Sequence, residues 1–152
     1  MGTASNAALA ALFPVSVKGV VFFKDRAILL RNERDEWELP GGKLEPTETP
    51  QDCCAREILE ELSVPVSVDE LLDCWIYDIP DRAKVLIVTY GCSLLSKTEV
   101  CVSSEHKAVG YFTVSELDAL RMPEGYRASV RRWWNLHKKR LAPNLSEDNA
   151  GR

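Results

Sequence analysis

A chain of 152 residues, of which 45% are hydrophobic and 28% charged, can bury one substantial core but is short for two domains. Its formal net charge of −4 argues against a polyanion as the main partner, and an anionic substrate would need a cation to mediate its binding. No apolar run approaches the roughly 20 residues of a membrane span. We therefore expect a soluble, cytoplasmic protein without a membrane partner.

The cysteine pattern indicates neither a disulfide framework nor a zinc site. The chain has five cysteines, an odd number, and none of them are spaced as CxxC. This pattern is typical of small core residues in the reducing cytosol. We expect buried thiols at Cys53, Cys54, Cys74, Cys92 and Cys101.

Two β-rich runs come first in chain order. In "PVSVKGVVFFKDRAILLRN" they flank the Lys24-Asp25 pair, a pattern that predicts a hairpin. The next stretch, "WELPGGKLEPTE", contains two prolines and two adjacent glycines, which exclude a helix and predict an irregular loop.

A helix follows this loop, and its start is clearly marked. Thr49, Pro50 and Asp52 occupy the N-cap, first and third positions, where a hydroxyl acceptor, a preset φ and a carboxylate are each favoured. We expect Pro65 to end the helix. Its buried side should carry Cys54, Ala55, Ile58 and Leu62.

The second half of the chain predicts a hairpin, a strand and two helices. "LLDCWIYDIPDRAKVLIVTYGCSLL" contains two β-prone runs joined through Pro80, Asp81 and Arg82. "GYFTV" predicts one more strand, followed by a short helix from Ser115. A terminal helix should bury one stripe, formed by Tyr126, Val130, Trp133, Trp134, His137 and Leu141.

The first predicted helix carries three glutamates on one face. At about 100° per residue, Glu60 and Glu61 lie on either side of Glu57, so the three carboxylates are neighbours. A solvated acidic surface is the ordinary explanation of such a helix. The sequence on either side of the helix has to decide whether these carboxylates have a further role.

The loop and helix together carry a motif with fixed spacing. Gly42 is followed after five residues by Glu48, and after seven more by "REILEELSV". This arrangement resembles the Nudix box of the Nudix hydrolases, which include MutT-like and ADP-ribose pyrophosphatase-like members. Ser63 stands where the family has glycine, a departure that concerns only the exit turn of the helix.

The resemblance implies an α+β fold, the Nudix α/β/α sandwich with a central mixed β-sheet. The single domain should extend over residues 13–141. We expect residues 1–12 to form an N-terminal extension and residues 142–152 to form a disordered tail.

The resemblance also implies a chemistry, the hydrolysis of a diphosphate bond with Mg²⁺, or alternatively Mn²⁺, as cofactor. By this carry-over the metal ligands are Glu57, Glu60, Glu61 and, as a supporting ligand, Glu48. Arg56 would orient the carboxylates. Gly41 and Gly42 would let the backbone approach the substrate phosphates, although a simple tight turn also explains them.

The catalytic base has two candidates. In this family it often comes from outside the box, and Glu105 lies in a predicted loop just before an aromatic strand. Glu57 is the competing candidate, since a base must reach the attacking water. His106 and His137 are interpreted as surface or structural residues.

The substrate is expected to be a small nucleotide, a nucleoside diphosphate derivative. Pro80 lies where ADP-ribose-cleaving members have a proline, which favours ADP-ribose, but a hairpin turn explains it equally well. A pyrophosphatase of oxidised nucleoside triphosphates is the alternative enzyme. The base would stack on one or more of Trp37, Trp75, Tyr77 and Tyr90.

Two functions outside hydrolysis are alternatives. A nucleotide-binding regulator without turnover would keep the fold, but the complete glutamate set argues against it. The basic stretch "RASVRRWWNLHKKR" is compatible with polynucleotide binding, yet its tryptophans have core-facing spacing and cations suit a helix C-terminus. We expect no polynucleotide partner, and the sequence leaves a homodimer open.

Overall fold

The computed structural model describes residues 10–96 and 108–147, and of residues 139–147 it describes the backbone only. The described part contains seven strands, two α-helices and one 3₁₀ helix. In chain order the elements are β1 (Val15–Phe23), β2 (Arg26–Arg31), β3 (Trp37–Glu38), β4 (Gly41–Lys43), α1 (Pro50–Leu62), β5 (Val66–Tyr77), β6 (Val85–Leu94), β7 (Ala108–Phe112), the 3₁₀ helix (Val114–Ala119) and α2 (Glu124–Glu147).

The strands form one mixed sheet. Its main order is β3-β2-β1-β6-β5, with β4 pairing to β1 and β7 pairing to β2. The pairing of β1 with β6 is parallel, whereas β1 pairs antiparallel with both β2 and β4. Strand β1 therefore lies in the middle of the sheet. Its pairing with β4 fixes the segment before α1 against the sheet.

The two helices cover opposite faces of this sheet. Alternation along β1 directs Val17 and Val21 into the core under α1, and Val20 and Phe22 into the core under α2. The α1 core includes Cys54, Ile58 and Leu62, and the α2 core includes Tyr126, Val130 and Trp133. This three-layer arrangement confirms the predicted α+β sandwich with a central mixed sheet.

Both predicted hairpins are present. Lys24 turns the chain between β1 and β2 with a φ of 56°, and β5 pairs antiparallel with β6 over residues 66–94. The loop between the first hairpin and α1 differs from the prediction, because it contains the short strands β3 and β4. Its glycines are compatible with β4 because that strand is only three residues long and packs closely against β1.

Helix α1 begins as predicted and ends earlier. The Thr49 hydroxyl accepts a hydrogen bond of 3.1 Å from the Asp52 N–H, and Pro50 is the first helical residue. The helix ends at Leu62, where Ser63 adopts the left-handed conformation with a φ of 58° and its N–H donates to Leu59 O at 2.9 Å. The end therefore comes from Ser63 and not from Pro65.

Helix α2 is longer than predicted. It continues through Glu147, so residues 142–147, expected in a disordered tail, are helical, and residues 148–152 lie outside the described part. Trp133 is buried, and His137 packs with its ring 6.3 Å from Phe22, as its place on the predicted stripe implied. Neither described helix is long and apolar enough to cross a membrane.

The cysteines follow the prediction with one exception. Cys53, Cys54 and Cys92 are buried, but Cys74 is exposed. Cys74 lies on β5, which is the last strand in the sheet order, so its side chain is not covered by another layer. Cys101 lies outside the described residues.

Candidate active site

The candidate site forms where β4 packs against α1. A Cβ atom on Gly42 would lie only 2.4 Å from Cδ of Glu57. Gly41 has a φ of +144°, and a Cβ there would lie 2.1 Å from the Val17 carbonyl oxygen. These two glycines are therefore required by close packing, against Glu57 on one side and against β1 on the other.

Glu61 is the buried carboxylate of the site. The residue is 4% exposed, and its Oε1 accepts a hydrogen bond of 3.0 Å from the Gly41 N–H. A buried carboxylate is costly unless polar groups meet it. Strand β4 therefore provides the backbone donor that holds this side chain in place.

Arg56 gathers the other glutamates. Its Nη2 and Nε donate to both oxygens of Glu48 at 2.7 and 2.9 Å. Its Nη1 donates to Oε1 of Glu57 at 2.9 Å and to Oε1 of Glu60 at 3.3 Å. One guanidinium is thus hydrogen-bonded to three carboxylates, as an orienting residue would be.

Both carboxylate oxygens of Glu48 are bonded to Arg56. Besides the paired bonds to Arg56, its Oε1 accepts a 2.9 Å bond from the Glu45 N–H. These bonds, with Arg56 as the main cause, lower the pKa of Glu48 from 4.5 to about 2, and bonding to Glu48 raises the pKa of Arg56. Glu48 is consequently ionised at neutral pH, with both oxygens bonded within the protein.

Cys53 lies beside this cluster as a neutral thiol. Its Sγ contacts the carbonyl oxygens of Gly42 and Lys43 at 3.7 and 3.5 Å. Burial, reinforced by the hydrogen bond to Glu48, raises the pKa of Cys53 to about 12. A thiol with so high a pKa is a packing group and not a nucleophile at neutral pH.

The carboxylates of the site suit a hard divalent cation, although those of Glu57 and Glu60 are hydrogen-bonded to Arg56. Within the described residues, no three His, Cys, Asp or Glu side chains converge on one point as a formed metal site. The groups that face β4 are carboxylates, which are the ligands that Mg²⁺ and Mn²⁺ take in proteins. Glu57, Glu60 and Glu61 fit such an ion by chemistry, and an ion there would compete with Arg56.

A cleft of about 250 Å³ lies along β1 and the end of β4, and Glu57, Glu60 and Glu61 are not among its lining residues. Lys18 and Lys43, which flank the Gly41-Gly42 pair, both line it, as do Arg34 and Glu38. The remaining wall is largely apolar or aromatic and is formed by Pro14, Val15, Tyr77, Ile79, Val85, Ile87 and Tyr126. Such a surface offers cations to phosphates and apolar side chains to a base.

Only one of the four predicted base-stacking residues lines this cleft, namely Tyr77. Of the other three, Tyr90 is buried, at 7% exposed. Trp75 and Trp37 are half-buried, with their rings 5.2 Å from the Tyr126 ring and 4.8 Å from the Phe112 ring. Strand alternation alone could not predict which face opens on the cleft.

The cleft residues Lys18, Arg34, Glu38 and Tyr126 were missed by sequence reasoning. For Lys18 a signal existed, because a lysine within the apolar run "VSVKGVVFF" is unusual for a buried strand. The candidate base Glu105 and its neighbour His106 lie outside the described residues. Gly41, Gly42, Glu57 and Glu61 meet at the contact of β4 with α1, and Arg56 links Glu48 and Glu60 to Glu57.

The arrangement of loop, strand and acidic helix agrees with a known family. The family model of the NUDIX domain matches residues 10–133. This chain belongs to the Nudix family. Nudix proteins are hydrolases that act on diphosphate bonds of small nucleotides and generally use divalent metal ions, and the chain is a hydrolase of this class.

Relatives of this Nudix chain include two bacterial proteins. A "MutT-like protein" of Streptomyces ambofaciens is 41% identical over 117 residues, which cover 76% of this chain and 73% of the relative. An "8-oxo-dGTP diphosphatase" of Proteus vulgaris is 50% identical over 46 residues, which cover 30% of this chain and 41% of that protein. The second match therefore concerns less than half of either chain.

Solved structures show the same Nudix fold. A MutT protein from Methanosarcina mazei Go1 superimposes with a TM-score of 0.71 at 22% identity, covering 86% of this chain and 99% of that one. An ADP-ribose pyrophosphatase from Streptococcus suis superimposes with a TM-score of 0.65, also at 22% identity, covering 83% and 92%. At such identities the likeness establishes the fold.

Proposed function

We propose that this chain is a Mg²⁺-dependent pyrophosphohydrolase of nucleoside triphosphates. The observation that carries the proposal is the packing of Glu57 and Glu61 against the Gly41-Gly42 pair, whose neighbours Lys18 and Lys43 line a cleft that also contains aromatic side chains. The diphosphate would lie at the carboxylates, and the nucleoside would occupy the cleft.

Each part of the site has a task in this reaction. Glu57, Glu60 and Glu61 offer the oxygens that would hold Mg²⁺, while Arg56 keeps the first two in place. When bound, Mg²⁺ supplies charge neutralisation of the phosphates and a lowered pKa for the attacking water. Lys43 and Arg34 offer charge to phosphate oxygens, and Tyr77 offers a ring to the base.

One relative favours the triphosphate as substrate. The bacterial relative named 8-oxo-dGTP diphosphatase points, by that name, to an oxidised nucleoside triphosphate. Oxidised nucleoside triphosphates are therefore included in the proposal. Non-catalytic binding is disfavoured because the complete set of Arg56 and its glutamates is assembled.

ADP-ribose is the second candidate substrate. Pro80, the residue that favoured it, directly follows Ile79, which lines the cleft. Pro80 itself is exposed beside Asp81, whose φ is 62°, so the turn of the β5–β6 hairpin also explains it. The sequence position thus supports ADP-ribose less directly than the diphosphatase relative supports a triphosphate.

The test is a substrate panel with Mg²⁺ and with chelator. Pyrophosphate release from ordinary and oxidised nucleoside triphosphates, and AMP release from ADP-ribose, are measured for the wild type and for Glu61→Gln. We expect Mg²⁺-dependent turnover that falls at least 10-fold in the variant, since the amide loses the charge that holds the ion. Binding of nucleotides without turnover would contradict the proposal and support a regulator.

A further inference from the structure

Lys18 is a charged residue at the centre of an apolar strand. It lies on β1 between Val17 and Gly19, and it is 7% exposed. A buried ammonium group is costly unless polar groups meet it. Its partners therefore indicate what this lysine does in the fold.

The ammonium group holds one end of Gly41. Lys18 Nζ donates a 3.2 Å hydrogen bond to the Gly41 carbonyl, and it lies 4.0 Å from Oε2 of Glu38. The two backbones are also paired, because Lys18 and Gly41 are opposite each other in the β1–β4 register. With a φ of +144°, Gly41 has a conformation that glycine adopts without strain, and because glycine has the greatest backbone freedom, these contacts restrict its position.

The amide of Gly41 is bonded to Glu61, one of the proposed metal ligands. Its N–H donates to Oε1 of Glu61 at 3.0 Å. Gly41 is therefore bonded through its carbonyl to Lys18 and through its amide to Glu61. A shift of this residue would move the donor that orients the buried carboxylate.

We propose that Lys18 is a positioning residue for the metal site, acting on Glu61 through Gly41. The inference rests on the proposed function, since it assumes that Glu61 belongs to a Mg²⁺ site. Partners that orient metal ligands from outside the coordination shell typically contribute 10- to 100-fold to metal affinity. Lys18 is one residue further away, so we expect the lower end, about 10-fold.

A purely electrostatic role would have the opposite sign. Lys18 is a cation, and a cation near the carboxylates repels Mg²⁺. If its charge alone mattered, replacing it with a neutral residue would tighten Mg²⁺ binding. Positioning predicts weaker binding, so the direction of the change separates the two roles.

The experiment measures Mg²⁺ binding by calorimetry without substrate, so that the contribution of Lys18 to the cleft does not enter. Lys18→Met is compared with the wild type, with Lys18→Arg and with Lys24→Met, an exposed lysine in the β1–β2 turn. We expect about 10-fold weaker binding for Lys18→Met, partial recovery for Lys18→Arg and no change for Lys24→Met.

The outcomes are distinguishable. Equal or tighter Mg²⁺ binding by Lys18→Met would overturn the inference while leaving the proposed function intact. If Lys18→Met does not fold, as judged by thermal unfolding, Lys18→Gln carries the same prediction. A wild type that binds no Mg²⁺ would overturn the proposed function itself, and this inference with it.

Discussion

The three glutamates of one helical turn have three different environments. Glu60 has a side chain that is 58% exposed, Glu57 has one that is 18% exposed, and Glu61 is buried against Gly41. The difference arises from their orientation relative to β4, since adjacent side chains on one helix can point either to solvent or to the strand. The residues of the box are therefore not equivalent, and substitutions should separate their roles.

Acid stability should depend on the pair of Glu48 and Arg56. The pKa of Glu48 is lowered from 4.5 to about 2, so its ionised form stabilises the fold above pH 4.5 and this contribution is lost as the pH falls toward 2. Glu48→Gln should flatten the dependence of the thermal midpoint on pH in this window. Arg56→Met should flatten it similarly, and an unchanged slope in either variant would contradict the assignment.

The catalytic base can be assigned by comparing two variants. If Glu105 is the base, Glu105→Gln should lower kcat by about 10² to 10⁴ while the Mg²⁺ requirement hardly moves. Glu57→Gln should instead raise the Mg²⁺ concentration for half activity, because Glu57 belongs to the carboxylate face. Both effects are read from Mg²⁺ titrations at saturating substrate. Near-normal kcat in Glu105→Gln would return the base to Glu57.

At the scale of elements, the short strand β4 and helix α1 form the site together. Strand β4 has three residues, yet it pairs with β1 and also contacts Glu57 and Glu61. Helix α1 in turn is fixed at its start by the Thr49 cap and at its end by the left-handed Ser63. The site thus depends on how these two elements end and meet, more than on their internal stability.

Adding one methyl group at the contact should impair the site and spare the fold. In Gly42→Ala the new Cβ would meet the carboxylate of Glu57 at 2.4 to 2.6 Å, and this flexible side chain would move aside. We expect the Mg²⁺ requirement to rise by about 10-fold or more, with a small change in thermal midpoint. Combining it with Glu57→Gln should add nothing to the effect of Glu57→Gln, whereas additive losses would show another cause.

Ser63→Gly should stabilise the protein. Ser63 has a φ of 58°, a conformation that costs an L residue about 1 kcal/mol more than glycine. We expect the free energy of unfolding to rise by about 0.5 kcal/mol after the entropic cost of glycine, with catalysis within a few-fold. Denaturant unfolding measures it. Ser67→Gly, in the extended strand β5, is the control and should destabilise, and a loss of stability in Ser63→Gly would contradict the argument.

At the scale of the molecule, the two helical layers, α1 and α2, have different roles. Helix α1 carries the carboxylates on one side of the sheet, while α2 covers the other side with Val130 and Trp133. Tyr126, at the start of α2, lines the cleft, which is the part of the site that the α2 layer reaches. Stability and metal binding should therefore be separable by substitutions in the α2 layer.

Val130→Ala tests this separation. Val130 is fully buried under α2, and removing two of its carbons should cost about 2 kcal/mol of unfolding free energy. Because the residue lies on the opposite face of the sheet from Glu57 and Glu61, we expect the Mg²⁺ requirement to be unchanged. Chemical denaturation and a Mg²⁺ titration of activity measure the two effects. A shift in the Mg²⁺ requirement would show that the layers are coupled.

Local sequence was sufficient for the elements whose signals are local. The Thr49 cap, both hairpins and the stripe of Tyr126, Val130 and Trp133 follow from periodicity and turn chemistry, which act over a few residues. The spacing from Gly42 to Ser63 likewise indicated the family, because the glycine and glutamates meet at fixed offsets along the chain. These features depend little on distant contacts.

Other features depend on contacts between residues far apart in sequence. Lys18 and Gly41 are 23 positions apart, and Lys18 lies outside the Gly42–Ser63 motif, so no local pattern relates them. The same holds for the cleft, where Tyr77 lines the cleft while Trp75, two residues away on β5, packs against Tyr126 of α2. Packing of the layers decides such matters, because burial and the direction of a side chain are set by what lies opposite.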